Sequence, residues 1–146
     1  MDGDGSAAGA ATGHAPARGG GPPAVLVAHG LACHLVAAWA AHSQNTRRVA
    51  AALLVAPPDI ARADMPPQVQ AWAPILGRPL PFASTAVLSA DDPFCAPERG
   101  LQLAAAWGSQ IVTLGRAGHV NADSGLGDWP EGLALLHDLQ HRAGVA

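Results

Sequence analysis

Three short segments of this chain carry residue types that could take part in acyl-transfer chemistry. The first, Ala28–Ala32, reads Ala-His-Gly-Leu-Ala and joins an apolar run to a helical pattern. Asp91 and Asp92 follow a second apolar run, and His119 follows a third. An aspartate can orient a histidine as a general base, and that base activates a nucleophile held on a sharp strand-to-helix turn. The chain has this order, with Gly30 where the attacking side chain would stand.

The histidine and the acid each have a simpler interpretation. A lone histidine is more often structural, but His119 lies in a loop after a strand and precedes the polar sequence Val-Asn-Ala-Asp. These features favour His119 as the base. Asp91 and Asp92 compete for the role of the acid, and an Asp-Pro pair is also typical of a turn or a helix cap. The residue types alone leave the choice between Asp91 and Asp92 open.

Gly30 meets the backbone requirement of the turn but supplies no oxygen or sulfur for attack on a carbonyl. Cys33 lies three residues later, nearly one helical turn beyond the elbow. A helix N-terminus favours a thiolate, yet a small apolar space-filler is the more common role of such a cysteine. Ser124 follows His119 by five residues, and we give it little weight as a nucleophile.

A metal site is the rival interpretation of the first helix. The residues concerned are His29, Cys33, His34 and His42. His29 and Cys33 would form an i, i+4 pair if the helix extended back to His29. The spacing does not match a zinc finger or a metalloprotease helix. We therefore predict no metal and no cofactor.

Five segments together carry a resemblance to a known family. They are Val25–His29, Ala51–Asp59, Ser89–Phe94, Leu103–Trp107 and Gly118–Gly132. In these segments the chain resembles small α/β-hydrolases of the YdeN type, which are relatives of the retinoblastoma-binding serine hydrolase. The resemblance runs from about Ala24 to Leu139.

The resemblance implies a role for each candidate residue. Asp92, the second aspartate of its pair, corresponds to the acid and His119 to the base, which leaves Asp91 for the Asp-Pro turn or helix cap. Gly30 stands at the nucleophile position, and the N–H of Leu31 is one donor of the oxyanion hole. The family activity implied is hydrolysis of carboxylic esters or related acyl substrates. Because Gly30 has no attacking atom, we expect the chain as written to be inactive, a pseudoenzyme; the alternatives are a non-catalytic binding module and a nonfunctional fragment.

Composition narrows the possible partners and location. The 146 residues suit one domain, and 49% apolar with 13% charged residues argues against a wholly disordered chain. A net charge of −3 gives no reason to expect nucleic acid. No stretch is apolar enough for a membrane span, and the N-terminus has no apolar signal core. We expect a cytoplasmic protein with two reduced cysteines and a small acyl substrate or ligand as its partner.

The chain changes character near residue 23. Residues 1–23 are rich in Gly, Ala and Pro and are expected to be a disordered tail. Residues 24–146 alternate short apolar runs with helical stretches, which predicts an α/β fold: a three-layer, doubly wound, α/β-hydrolase-like parallel sheet with about four strands. The predicted strands are 24–28, 51–56, 84–89 and 110–114. The predicted helices are 31–42, 97–107 and 130–141.

Two further expectations concern the surface of this domain. Residues 57–82 contain seven prolines and predict an extended surface excursion with one helical turn near 68–72. By the family pattern, two strands should precede Ala24, where this chain has only the tail, so residues 24–146 are expected to be a partial domain. The first strand would then have a bare edge, which predicts self-association.

Overall fold

Parallel strands form the centre of the molecule. The computed structural model describes residues 10–12, 22–71 and 78–145. The strands are β1 (Ala10–Thr12), β2 (Ala24–His29), β3 (Val49–Val55), β4 (Ala83–Leu88) and β5 (Gln110–Thr113). The helices are α1 (Ala32–His42), α2 (Pro67–Gln70), α3 (Pro97–Trp107) and α4 (Pro130–Arg142).

The strands lie in the sheet in the order in which they occur along the chain, and β2, β3, β4 and β5 run parallel. In the register, His29 lies beside Val55, which in turn lies beside Val87. Parallel strands that end in register bring the loops after them to one edge of the sheet. The three segments with candidate chemistry all follow strands, so all lie at this edge.

Strand β3 shows why the sheet is covered on both faces. Its residues alternate in direction, as in any strand. Ala52 and Leu54 pack into the core cluster that also holds residues of α1 and α3. Leu53 and Val55 pack with Leu139 of α4 on the opposite face. The result is the predicted three-layer α/β architecture, in which α1 and α3 cover one face of the sheet and α4 covers the other.

The predicted helices and parallel strands are all confirmed, with bounds that differ by at most two residues. Pro97 and Pro130 each begin a helix, where the missing N–H of proline costs nothing. Among the described residues, no helix is long and apolar enough to cross a membrane.

Strand β1 lies within the segment that was expected to be disordered. It pairs antiparallel with β2, with Ala11 beside Leu26. The expectation of an unstructured tail is therefore wrong for residues 10–12, and the expected bare edge of β2 is paired at 25–27. Main-chain hydrogen bonds need no particular side chain, and the free edge of a strand offers them to any extended segment. The other tail residues, 1–9 and 13–21, lie outside the described residues.

The proline-rich segment between β3 and β4 departs from the expectation at its start. Pro57 and Pro58 are buried, and so is Ile60. Here the chain does not run over the surface, because its first residues pack beneath the loop after β4, where the N–H of Asp59 donates to the carbonyl of Phe94. The helical turn is α2; the end of the predicted turn, Trp72, lies outside the described residues.

His34 of α1 is a fully buried polar side chain in the core. Its Nε2–H donates to the carbonyl oxygen of Pro58 at 2.7 Å, and its ring meets that of Trp107 edge to face at 5.5 Å. Nδ1 is buried without a hydrogen-bond partner among the described residues. Burial lowers the pKa of His34 to about 4, because the charged form cannot be solvated there.

This pKa predicts a loss of stability in mild acid. In the unfolded chain His34 takes up a proton as the pH falls through about 6.5, whereas the folded chain resists until about pH 4. The free energy of unfolding should therefore decrease across this window, by about 3 kcal/mol from this residue. Urea unfolding of the wild type and of His34→Gln at several pH values measures it. An equally steep pH dependence in the variant would contradict the assignment to His34.

Candidate active site

Gly30 forms the turn between β2 and α1. Its φ of +62° lies in the left-handed region, where glycine avoids the strain that other residues incur. The N–H of Gly30 donates to the carbonyl of Val55 at 2.9 Å, which ties the turn to the end of β3. Leu31 follows in helical conformation as the N-cap of α1. Its N–H therefore belongs to the first turn of the helix, whose donors have no intrahelical acceptor.

His119 lies directly against this turn. A Cβ built on Gly30 would stand 3.2 Å from Nε2 of His119 and 3.7 Å from its Cε1. Apart from the residues flanking Gly30, no other described residue has an atom within 4 Å of that point. A side chain at position 30 would therefore meet the imidazole first.

The other ring nitrogen of His119 faces Asp92. Nδ1 lies 3.0 Å from Oδ2 and 3.1 Å from Oδ1 of this carboxylate. The side chain of Asp92 is 3% exposed and that of His119 is 16% exposed. A carboxylate can only accept, so Nδ1 carries the proton and Nε2 presents its lone pair toward Gly30. The fold thus places His119 between Asp92 and Gly30, so that the three candidate residues lie together.

The loop after β4 supports Asp92 and adds an aromatic wall. Oδ1 of Asp92 also accepts a hydrogen bond from the N–H of Phe94 at 2.9 Å. The ring of Phe94 lies edge to face against the imidazole of His119, with centroids 4.8 Å apart. Phe94 was not among the residues identified from the sequence. Its position two residues after the acid was the only signal available.

Asp91 connects this loop to the loop that carries His119. Its Oδ1 accepts from the N–H of Gly118 at 2.8 Å and from Oγ of Ser89 at 3.0 Å. The N–H of Gly118 is the main reason that the pKa of Asp91 lies below its usual value. Asp91 thus links the loop after β4 to the loop that carries His119 and acts as a clamp between them. This differs from the local turn or helix cap that we expected.

His29 holds the same loop from the other side. Its Nε2–H donates to the main-chain carbonyl of His119 at 2.7 Å, and the two rings meet at 4.6 Å. The sequence drew attention to His29 only as a possible metal ligand. Its contact with His119 could not be found from sequence spacing, because 90 residues separate the two.

Ser124 is engaged in the loop structure. Its Oγ donates to the carbonyl of Ala117 at 2.6 Å and accepts from the N–H of Asn121 at 3.1 Å. Asn121 in turn caps the short 3-10 turn at Ala122–Ser124. Both hydrogen bonds of the hydroxyl thus stabilise the segment after His119, in keeping with the low weight given to Ser124 as a nucleophile.

Cys33 is fully buried behind the elbow. Its thiol lies 3.4 Å from the carbonyl oxygen of Val55. Burial raises the pKa of this thiol far above its ordinary value. Burial also raises the pKa of Cys95, to about 11. Neither thiol has the exposure and lowered pKa that a nucleophilic cysteine needs.

The cluster considered as a metal site is divided among separate contacts. His29 reaches the carbonyl of His119, His34 reaches that of Pro58, and Cys33 points toward Val55. Within the described ranges, no group of three or more His, Cys, Asp or Glu side chains could hold a metal ion.

The chain is similar to known proteins of one family. The family model for serine hydrolases matches residues 17–138. No curated protein matches the chain.

The solved structures to which the chain is similar include the following three. A YdeN-like hydrolase from Pectobacterium atrosepticum is 28% identical, with a TM-score of 0.70 over 82% of this chain. Esterase 2 of Thermogutta terrifontis, solved with paraoxon phosphorylation, is 18% identical, with a TM-score of 0.59 over 82% of this chain. The esterase domain of a Rhodothermus marinus protein is 20% identical, with a TM-score of 0.52 over 74% of this chain. The chain spans 60%, 54% and 60% of these three proteins, respectively.

The buried thiols allow a direct test of whether cysteine could act in the site. In the folded protein Cys33 and Cys95 should not react with iodoacetamide at mildly alkaline pH, since neither forms an accessible thiolate. Both should react after unfolding in urea. Mass spectrometry of the alkylated protein counts the modified thiols. Rapid alkylation of Cys33 in the native protein would show that this residue is exposed and activated.

Proposed function

Because this chain belongs to the serine hydrolase family, we propose that its site is a serine hydrolase centre that has lost the attacking atom. Hydrolysis is the activity of the family, and the YdeN-like hydrolase is the most similar of the structures compared above. The proposal concerns the finer point of what this member can do. One observation carries it: the side chain missing at Gly30 would point at Nε2 of His119 from 3.2 Å.

The remaining parts of the centre have complementary roles in this proposal. Asp92 holds the imidazole of His119 through Nδ1, so that Nε2 is the basic nitrogen. The N–H of Leu31 would stabilise the oxyanion of a tetrahedral intermediate. A serine at position 30 would attack the carbonyl carbon, passing its proton to His119. Glycine has no such oxygen, so no acyl-enzyme forms at this position.

The substrate class in this proposal is a carboxylic ester or a related acyl compound, and the chemistry calls for no metal or cofactor. Two exposed apolar side chains flank the centre: Leu31, which is 39% exposed, and Phe94, which is 44% exposed. Such a rim suits the apolar part of an acyl ligand. It also favours a second function, binding of an acyl ligand without turnover. A cytoplasmic location fits the two free cysteines.

Restoring the serine tests the proposal. Wild-type protein should not react with a fluorophosphonate probe, whereas Gly30→Ser should become labelled, because the new hydroxyl lies beside an oriented imidazole. The substitution places a residue with a Cβ in the left-handed region, which should lower the free energy of unfolding by about 1–2 kcal/mol. Labelling is followed by mass spectrometry, and folding is checked by circular dichroism.

The matched control is Gly30→Ser combined with His119→Ala, which should not label, since the serine then lacks its base. Labelling of the wild type would mean that another nucleophile serves the site. Failure of well-folded Gly30→Ser to label would show that the centre is not arranged for serine attack.

A further inference from the structure

The space in front of His119 has an unusual lining. Gly30 is buried, and apart from its flanking residues only His119 has atoms within 4 Å of the Cβ position in the described part of the chain. The position therefore adjoins a basic nitrogen and no competing side chain of the described residues. An oxygen placed one bond beyond that Cβ is within hydrogen-bonding reach of Nε2. A water molecule is small enough to take this place, where a serine hydroxyl would otherwise stand.

We propose that this site hydrolyses activated esters by direct attack of water, with His119 as the general base. Water oxygen bonds to the carbonyl carbon while one of its protons passes to Nε2. The carbonyl oxygen becomes an oxyanion that accepts a hydrogen bond from the N–H of Leu31. The intermediate collapses, the ester C–O bond breaks, and the leaving alkoxide takes the proton from Nε2. The products are a carboxylic acid and an alcohol, and the enzyme returns to its starting state.

The structure keeps what this reaction needs. Asp92 fixes the ring of His119 in the tautomer that leaves Nε2 free, and both of its oxygens lie within 3.1 Å of Nδ1. The ring is also held by its neighbours, because Asp91 clamps the N–H of Gly118 and His29 holds the carbonyl of His119. An imidazole held in this way can act as a base toward water instead of toward a serine hydroxyl. The water molecule must then lie between Nε2 and the ester.

The absence of a nucleophilic side chain at position 30 determines the substrate class. Without a covalent intermediate, water must attack the original ester in one addition step. Water is a weaker nucleophile than an activated serine, so the reaction should favour esters of acidic alcohols such as phenols. The exposed ring of Phe94 lies against the imidazole and offers a surface on which an aryl leaving group could pack.

This inference rests on the proposed function, since it assumes that no nucleophilic side chain serves the site. It departs from the expectation of an inactive chain, because water takes the place of the missing nucleophilic side chain. The two fail in different ways. The proposed function fails if the wild type is labelled by a fluorophosphonate. Direct hydrolysis fails if His119 makes no difference to ester turnover, whatever the labelling result.

The test uses p-nitrophenyl acetate and the full-length wild-type protein. General base catalysis typically contributes about 10²–10⁴-fold, so His119→Gln should lower the ester rate by about 10²-fold or more. Turnover should show no initial burst and should slow in heavy water. A His137→Gln variant, which removes an exposed histidine of α4, should match the wild type and exclude nonspecific catalysis by surface imidazole.

A second variant separates the water position from the base. Gly30→Ala adds only the Cβ, which would stand 3.2 Å from Nε2 and about one bond length from the proposed water oxygen, too close for that water to remain. It should lower the rate toward that of His119→Gln while the Nδ1–Asp92 proton remains visible in the downfield NMR spectrum. Circular dichroism checks that each variant is folded.

Three results would overturn the inference. Equal rates for the wild type and folded His119→Gln would show that His119 is not the base. A burst of p-nitrophenol with an acetylated His119 in the mass spectrum would show that Nε2 attacks the ester itself. An undiminished rate in folded Gly30→Ala would show that the attacking water does not lie at position 30.

Discussion

The left-handed turn at Gly30 is the constraint on which the site depends. It reverses the chain between β2 and α1 within two residues, and its N–H is bound to the end of β3. A side chain on a residue in this conformation would extend from the edge of the sheet toward the loop that carries His119. Glycine adopts the turn at little cost. The same residue therefore allows the turn and carries no side chain toward His119.

The imidazole of His119 is positioned by contacts from several loops. Asp92 after β4 holds Nδ1, Asp91 holds the N–H of Gly118, and His29 at the end of β2 holds the carbonyl of His119. Each contact joins segments far apart in sequence, so the position of the imidazole depends on the parallel register of the sheet. Three independent contacts together limit rotation and displacement of the ring.

The core beneath the site keeps its own polar groups neutral. Cys33 is a buried thiol, and His34 is a buried neutral imidazole that donates to a carbonyl. Burial disfavours charge on both, as the directions of their pKa shifts indicate. Among the described residues, the one close pair of a carboxylate and an imidazole is Asp92–His119, whose imidazole is 16% exposed. The clustered histidines and cysteine at the start of α1 thus contribute packing and positioning.

The sequence alone determined the secondary-structure elements and the residue types that could take part in chemistry. Alternating apolar runs and helical stretches predicted four parallel strands and three helices, because periodicity and proline positions are local properties. The residue types and their order along the chain also singled out Gly30, the Asp91–Asp92 pair and His119, and the family resemblance favoured Asp92 within the pair. Only the tertiary structure decided their distances, the clamp role of Asp91, and the contacts of His29 and Phe94 with His119. It also placed residues 10–12 against β2, contrary to their composition. These features arise from pairing and packing between distant segments, and no local pattern in the chain encodes them.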